Sequence, residues 1–244
     1  MNTKIEISII VPIKNEAENI LSLTKEIYNI YKKRRFEIIF INDGSHDDSL
    51  NVLKTTMVKY KKLRAISHEF SSGQSAAIRS GVVKSRGNLI AILDGDGQNV
   101  PKDLIKMEKK LIKINPLLGM VAGIRKKRKD SWIKRYSSKI ARFVRNLILN
   151  DKHPDSGCGI KIMHRELFLK LPFFKNMHRF MPTLVEREGG IVIGVEVAHR
   201  ERVLGNSNYG TFDRLFAGIF DLVGVFWLSK RKSSTGKIIE LNRN

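Results

Sequence analysis

The run Asn88-Leu89-Ile90-Ala91-Ile92-Leu93-Asp94-Gly95-Asp96-Gly97-Gln98 decides how the chain is read. From Leu89 to Leu93 it is continuously apolar, not alternating. That is how a strand buried on both faces reads. Two carboxylates, Asp94 and Asp96, follow at once, with Gln98 two residues further on. Like charges held this close repel, and a divalent cation relieves the repulsion. Hard oxygen ligands suit Mg2+ or Mn2+, which also take phosphate oxygens. An Asp-Gly turn is the plain alternative, since both residues are ordinary turn formers. The segment alone leaves the two evenly balanced.

Working outward, the pattern repeats. Residues 5–11 read as a buried strand ended by Pro12, residues 36–42 as a second strand, 63–67 as a third, 88–93 as a fourth and 117–124 as a fifth. Helices are predicted between them: 16–33, with Ile20, Leu23, Ile27 and Ile30 at helical spacing, then 47–59, 71–85, and a helix from Pro101 to about residue 113. Proline suits that start because its missing N–H has no helical partner there anyway. Strand–helix alternation with continuous apolar strands predicts an α/β fold, a mainly parallel sheet covered on both faces. Ligands of such sheets sit beyond the carboxyl ends of the strands. The clusters Pro12-Ile13-Lys14-Asn15-Glu16, Asn42-Asp43-Gly44-Ser45 and Asp94-Gly95-Asp96-Gly97-Gln98 all follow strands and are expected to meet at one edge. Asp43 could accept a nucleobase N–H edge. Taken singly, that cluster is a turn, and Asn15 or Glu16 is a cap for the next helix.

The second half is less regular. Residues 125–152 hold eleven Lys/Arg and two Asp. Ile133, Tyr136, Ile140, Phe143 and Leu147 recur every three or four residues, which predicts an amphipathic basic helix over 131–149. Residues 191–198 read as a strand. Residues 210–229 read as a Phe- and Leu-rich helix followed by Lys230-Arg231-Lys232 and a solvated tail. His178-Arg179-Phe180 either reaches the mouth of the site or starts a helix, the second being the plainer reading.

Composition narrows the function. The chain has 244 residues, 42% of them hydrophobic, and a formal charge of +21. An anionic partner is expected: nucleic acid, a phosphorylated small molecule or an acidic membrane surface. A single cysteine, Cys158, excludes a disulfide framework and a cysteine zinc site, and fits a reducing compartment. It is expected to be a small packing residue. The six histidines show no HxxxH or HExxH spacing. The N-terminal residues carry no signal-peptide pattern, and no stretch has the roughly 20 apolar residues of a membrane span. A cytoplasmic location is therefore expected. Neither a DNA- or RNA-reading element nor basic stripes interleaved with aromatics can be found, so nucleic acid is not the expected partner.

Three segments in order, Ser-Ile-Ile-Val-Pro-Ile-Lys-Asn-Glu-Ala-Glu-Asn (8–19), Phe-Ile-Asn-Asp-Gly-Ser-His-Asp-Asp-Ser (40–49) and Ala-Ile-Leu-Asp-Gly-Asp-Gly-Gln (91–98), resemble glycosyltransferase family 2. The likeness is greatest to the dolichol-phosphate mannosyltransferase and bacterial polyprenyl-phosphate sugar synthase group, over roughly residues 5–210. It implies a GT-A (Rossmann-like) domain over 1–210, with 211–244 as an interfacial amphipathic helix and basic tail. It also implies a nucleotide-sugar donor, Mg2+ or Mn2+, and inversion at the anomeric carbon.

The resemblance further implies residue roles. Pro12, Lys14 and Glu16 line the nucleotide pocket with Ile41 and Asp43 at its base. Asp94, Gly95 and Asp96 lie along the diphosphate, with Asp94, Asp96 and Gln98 as metal contacts. Arg125 meets the substrate phosphates. Asp155-Ser156-Gly157-Cys158-Gly159-Ile160-Lys161 matches the acceptor segment, with Ser156 and Lys161 on the acceptor phosphate; the family usually has Arg at the position of Lys161. Arg202-Val203-Leu204-Gly205-Asn206-Ser207-Asn208 matches a loop over the diphosphate, where the mannosyltransferases commonly carry Lys at the position of Asn208. Asp96, Arg125, Lys161 and Arg202 are the expected catalytic set.

A polyprenyl phosphate is already anionic, so no catalytic base is expected; the acceptor needs cationic support and alignment. GDP-mannose and a UDP-sugar both fit as donor. The apolar and basic helices suit peripheral attachment to the inner face of the membrane; the alternative is that the apolar helix packs on the catalytic core or against another subunit. A second copy of the chain or a membrane-anchor subunit is left open as a protein partner. The competing expectations are a family 2 transferase acting on a saccharide hydroxyl and, more remotely, a basic nucleic-acid-binding protein. The absence of a Gln-x-x-Arg-Trp motif counts against a processive polysaccharide synthase.

Overall fold

The computed structural model describes residues 4–113, 119–126, 144–151, 153–201 and 211–231, the last segment with side chains from Gly218 onward. The expected alternation is present. Strands β1 (Ile7–Ile13), β2 (Phe36–Asp43), β3 (Leu63–His68) and β4 (Leu89–Ile92) are separated by α1 (Ala17–Tyr31), α2 (Ser49–Lys59) and α3 (Gln74–Lys84), and α4 (Asp103–Leu111) follows. After β5 (Gly119–Arg125) come α5 (144–149), β6 (Lys161–His164), α6 (Arg165–Lys170), a 3-10 turn (Met177–Arg179), α7 (Met181–Arg187), β7 (Ile191–Val197) and α8 (Thr211–Lys230).

The seven strands form one sheet in the order β3-β2-β1-β4-β6-β5-β7. All pairings are parallel except those of β6, which runs antiparallel to both β4 and β5. Side chains alternate across the sheet, so each strand feeds two cores. Ile7, Ile9, Val11 and Ile13 of β1 pack under α1, α2 and α4 with Ile20, Leu23, Leu53, Leu104 and Met107. Ile10, Ile39 and Ile41 face the other side, against Ile78 and Val82 of α3, Phe168 of α6, Leu184 of α7 and Leu222 and Val225 of α8. Burial on both faces explains the continuous apolar strands.

Two sequence expectations need adjustment. β1 does not stop at Pro12 but runs on to Ile13. β4 pairs with β1 only as far as Ile10, so beyond it β1 has a neighbour on one side only, where the missing proline N–H is tolerated. β6 was not expected at all. Its sequence is Lys-Ile-Met-His, four residues with a charge at one end, too short and too polar to stand out. Its direction matters for function. Because β6 is antiparallel, its beginning, not its end, lies beside the carboxyl ends of β4 and β5: Lys161 is in register with Ile92 and Ala122.

Candidate active site

Five loops therefore reach one edge of the sheet: those after β1, β2, β3 and β4, and the loop that precedes β6. Hydrogen bonds stitch the first two together. The Asn15 N–H donates to Ser45 Oγ (2.9 Å), Glu16 N–H to Ser49 Oγ (3.1 Å), and Ala17 N–H to Asp47 Oδ2 (3.1 Å). Lys14 Nζ reaches across to Ser71 Oγ at 3.0 Å. Pro12 is buried, and Glu16 Oε2 accepts from Asn19 at 2.7 Å.

Asp43 closes β2, with the carboxylate buried and fully used. Oδ1 lies 2.8 Å from His68 Nδ1 and accepts the Ser72 N–H (2.8 Å); Oδ2 accepts from Ser71 Oγ (2.9 Å) and the Gly73 N–H (2.8 Å). Burial alone would raise its pKa, but the hydrogen bonds from His68, Ser72, Ser71 and Gly73 outweigh burial and hold it below the usual carboxylate range. With these contacts Asp43 pins the β3–α3 loop over the end of β2. Ile41 is wholly buried in the core under α3, where a Cβ on Gly81 would lie 2.6 Å from its Cδ1.

The acidic loop after β4 runs tight against β1. A Cβ on Gly95 would lie 2.3 Å from Ile13 Cγ2 and 2.9 Å from Pro12 O, so only glycine passes there. Asp94 Oδ1 accepts from Gln74 Nε2 (2.7 Å), the first residue of α3. On the other side, a Cβ on Gly159 would lie 1.8 Å from Asp94 Oδ2. The Asp94 carboxylate thus fits between α3 and the loop before β6. Its pKa is raised, by burial first and then by the Asp96 charge, against the pull of Lys161 and Arg125. Asp96 Oδ1 accepts the Gln98 N–H (3.1 Å). Gln98 Nε2 donates to Arg200 O (3.3 Å), which leaves Oε1 as its available oxygen.

The cationic side is built differently. Arg125, at the end of β5, makes a fork with Asp155: Nε to Oδ2 at 2.7 Å and Nη2 to Oδ1 at 2.6 Å, while its own backbone N–H also donates to Oδ2 at 3.1 Å. Such a two-point pair fixes orientation as well as charge. Lys161 is 3% exposed; its ammonium donates to Cys158 O, and burial lowers its pKa against the raising charges of Cys158, Asp94 and Asp155. Ser156 is buried, and its hydroxyl accepts from Arg145. Cys158 is fully buried, with its thiol pKa raised by burial, as a packing residue should be. Arg202 and Asn208 lie outside the described residues, as does most of the helix expected over 131–149.

The edge thus gathers Pro12, Lys14, Glu16, Asp43, Asp94, Gly95, Asp96, Gln98, Arg125, Ser156 and Lys161, and it leaves Ile41 in the core. One organiser was missed by sequence reasoning. Arg145, on α5, donates to Ser156 and to His153 O (3.2 Å) and pairs with the buried Asp151 at 2.9 Å. In the pattern of Ile133, Tyr136, Ile140, Phe143 and Leu147 it falls on the polar side, one basic residue among many, and nothing in the sequence marks it.

The profile of glycosyl transferase family 2 matches residues 8–171. The chain belongs to that family. It is a glycosyltransferase with a GT-A fold. It is 34% identical over 241 residues to a dodecaprenyl-phosphate galacturonate synthase of Rhizobium johnstonii, covering 95% of this chain and 70% of that one. It is 28% identical over 226 residues to an undecaprenyl-phosphate 4-deoxy-4-formamido-L-arabinose transferase of Aeromonas hydrophila, covering 91% and 68%. Among solved structures it resembles Mycobacterium tuberculosis glucosyl-3-phosphoglycerate synthase bound to Mn2+, UDP and glucosyl-3-phosphoglycerate, with a TM-score of 0.64, 16% identity, and coverage of 95% and 82%.

The acidic loop fits a divalent cation. Asp94 and Asp96 raise each other's energy when both are ionised, and Gln98 keeps one oxygen available. Among the described residues no cluster of three or more His, Cys, Asp or Glu could hold a metal. Two carboxylates and an amide oxygen suit Mg2+ or Mn2+, which bind through one or two carboxylates and complete their shell with phosphate oxygens and water.

Proposed function

We propose that the protein transfers a hexose from a nucleotide sugar, GDP-mannose or a UDP-sugar, to a polyprenyl phosphate at the membrane surface, with inversion and with Mg2+ or Mn2+. The observation that carries this reading is the division of one sheet edge into an acidic side, Asp94 and Asp96, and a cationic side, Arg125 and Lys161. A reaction between two phosphorylated substrates needs both. The relatives named for polyprenyl-phosphate transfer support it.

Asp96, Asp94 and Gln98 would hold the metal, which when bound neutralises charge building on the leaving diphosphate. Lys14 and Glu16 stand at the nucleotide end. Asp43 acts there by fixing the 68–73 loop. Arg125, aimed by Asp155, meets the acceptor phosphate, and Lys161 adds positive potential from beneath. Arg202 and Asn208 belong to the same proposal as contacts over the diphosphate. The acceptor oxygen is anionic before it enters, so the protein's task is to hold and align it.

Membrane contact is part of the proposal. Leu222 and Val225 anchor α8 to the core, while Ile219, Phe220, Val223, Phe226 and Trp227 face outward. Lys230 and Arg231 lie over the rings of Phe226 and Trp227 at 5.7 and 5.9 Å. Apolar side chains flanked by cations suit the interface of an anionic leaflet. Among the described residues no helix is long and apolar enough to cross a membrane. The domain reading follows: a catalytic unit over 1–210 and an interfacial appendage over 211–244.

The test is transfer of radiolabel from GDP-mannose and a set of UDP-sugars to undecaprenyl phosphate in detergent micelles with Mn2+ or Mg2+. Label in the lipid extract is expected from one donor. Label appearing only in water-soluble acceptors sinks the reading.

A further inference from the structure

His178 is a group the mechanism above does not use. It sits in the 3-10 turn before α7, tied to the N-terminus of α3. Ser75 Oγ accepts the His178 backbone N–H at 3.1 Å and lies 2.8 Å from His178 Nδ1. Ser75 is buried, and among the described residues its hydroxyl hydrogen has no acceptor other than that ring nitrogen. A buried hydroxyl left without an acceptor is costly. The hydrogen therefore goes to Nδ1, and the imidazole carries its own proton on Nε2. Among the described residues Nε2–H has no hydrogen-bond partner. The ring stays neutral: burial, then the charges of Lys161 and Arg179, push its pKa down to about 3.

Its neighbourhood gives the donor a purpose. Gln74, adjacent to Ser75 in sequence, holds Asp94 Oδ1 at 2.7 Å. One turn of α3 thus fastens an acceptor, Asp94, and a neutral donor, His178. Phosphates are served better by the cations Arg125 and Lys161. A sugar hydroxyl both gives and receives a hydrogen bond, and an acceptor and a neutral donor held by one helical turn match it.

We propose that His178 is a specificity-determining residue whose Nε2–H donates to a hydroxyl of the transferred sugar, beside Asp94. This rests on reading the edge as a nucleotide-sugar site. A pocket that hydrogen-bonds a hydroxyl rejects sugars that lack it, because the donor is then left unpaired.

The experiment is calorimetric binding with Mn2+ present. UDP-glucose, UDP-galacturonate and GDP-mannose are compared with plain UDP and GDP, on the wild type, His178→Leu, His178→Gln and Ser75→Ala. For the nucleotide sugar the wild type binds best, His178→Leu is expected to weaken binding about 5- to 10-fold, the size of one neutral hydrogen bond. The parent nucleoside diphosphate should stay within about twofold. Gln places an amide N–H where Nε2–H stood and should hold the loss to about threefold. Should the Leu variant not fold, Ser75→Ala, which frees the tautomer, carries the test, with a selective loss of about 2- to 5-fold. Equal loss for sugar nucleotide and plain nucleotide, or no loss for either, overturns the inference while leaving the donor reading intact. A wild type that binds none of the three sugars overturns both.

Discussion

The two halves of the site reach the same edge by opposite means. From β1 to β4 the strands are parallel and apolar throughout, and each functional cluster is simply the turn that follows its strand. There the polar groups are fastened by backbone: Asp43 by the Ser72 and Gly73 N–H groups, Asp96 by the Gln98 N–H. From β5 to β7 the edge is held chiefly by charged side chains paired with one another. Arg125 grips Asp155, Arg145 grips Asp151 and Ser156, and Lys161 is buried beneath them. The first half holds its carboxylates largely with backbone N–H groups. The second half must hold cations near one another, and it does so with Asp151 and Asp155, two carboxylates of the segment before β6.

The largest effect should come from the seam between them. Asp96→Ala removes the carboxylate proposed to face the metal without removing a buried contact. Transfer should fall by on the order of 10²- to 10³-fold, as when a preorganised group facing developing charge is lost. The metal-free melting temperature should stay within about 2 °C, because a surface change away from the core costs little. Initial rates across a Mn2+ titration, set beside a melting curve, check it. Undiminished transfer would end the claim that the acidic half works through this loop.

Next comes the cationic half. Asp155→Ala leaves Arg125, 14% exposed in its side chain, without its two-point partner. Breaking a largely buried pair on one side costs about 3 kcal/mol, or about 6–12 °C in melting temperature for a chain of this size. Asp43→Asn in the first half keeps the size but turns one acceptor oxygen into an NH2, so one backbone N–H, of Ser72 or Gly73, loses its acceptor; it should cost about half as much. Measured side by side by thermal melting, the two variants sharpen the contrast. Equal losses would mean that both halves depend alike on their carboxylates.

The same contrast sets what could be read from sequence. The parallel half was legible almost strand by strand, since burial on both faces writes itself as an apolar run. Asp94, Asp96 and Asp43 were legible because each stands at the end of such a run. Ile41 was assigned to the pocket by resemblance, yet strand alternation turns it to the core, while Asn42 and Asp43 close the strand. β6 escaped because four residues with Lys161 at their head show no period. Lys161 itself was placed on the acceptor phosphate by resemblance; only the antiparallel pairing shows that it enters the sheet between Ile92 and Ala122. Arg145 escaped because a charge run of eleven Lys/Arg gives no sign of which one turns inward.

Acid should reach the halves at different pH. His153, His164 and His178 all lie in the second half, and burial lowers the pKa of each; for His178 it falls to about 3. In the unfolded chain these rings take protons below pH ~6.5, while the folded rings take them only at lower pH. The unfolded state then binds more protons, so stability falls as pH drops from ~6.5. For His178 alone the loss by pH 5 is about 2 kcal/mol. In the first half the lowered groups are carboxylates, Glu6, Asp43 and Asp47. Their contribution is complete above the unfolded carboxylate range and is lost only as pH falls through the lower folded values, below pH ~4. Hydrogen exchange at pH 7, 5.5 and 4.5 should show protection lost first around β6, the 3-10 turn and α7, with β1 and β2 unchanged until lower pH. His178→Gln should remove part of that early loss. Simultaneous loss in both halves at pH 5.5 would show that the sheet responds as one unit, and that the difference in construction carries no difference in stability.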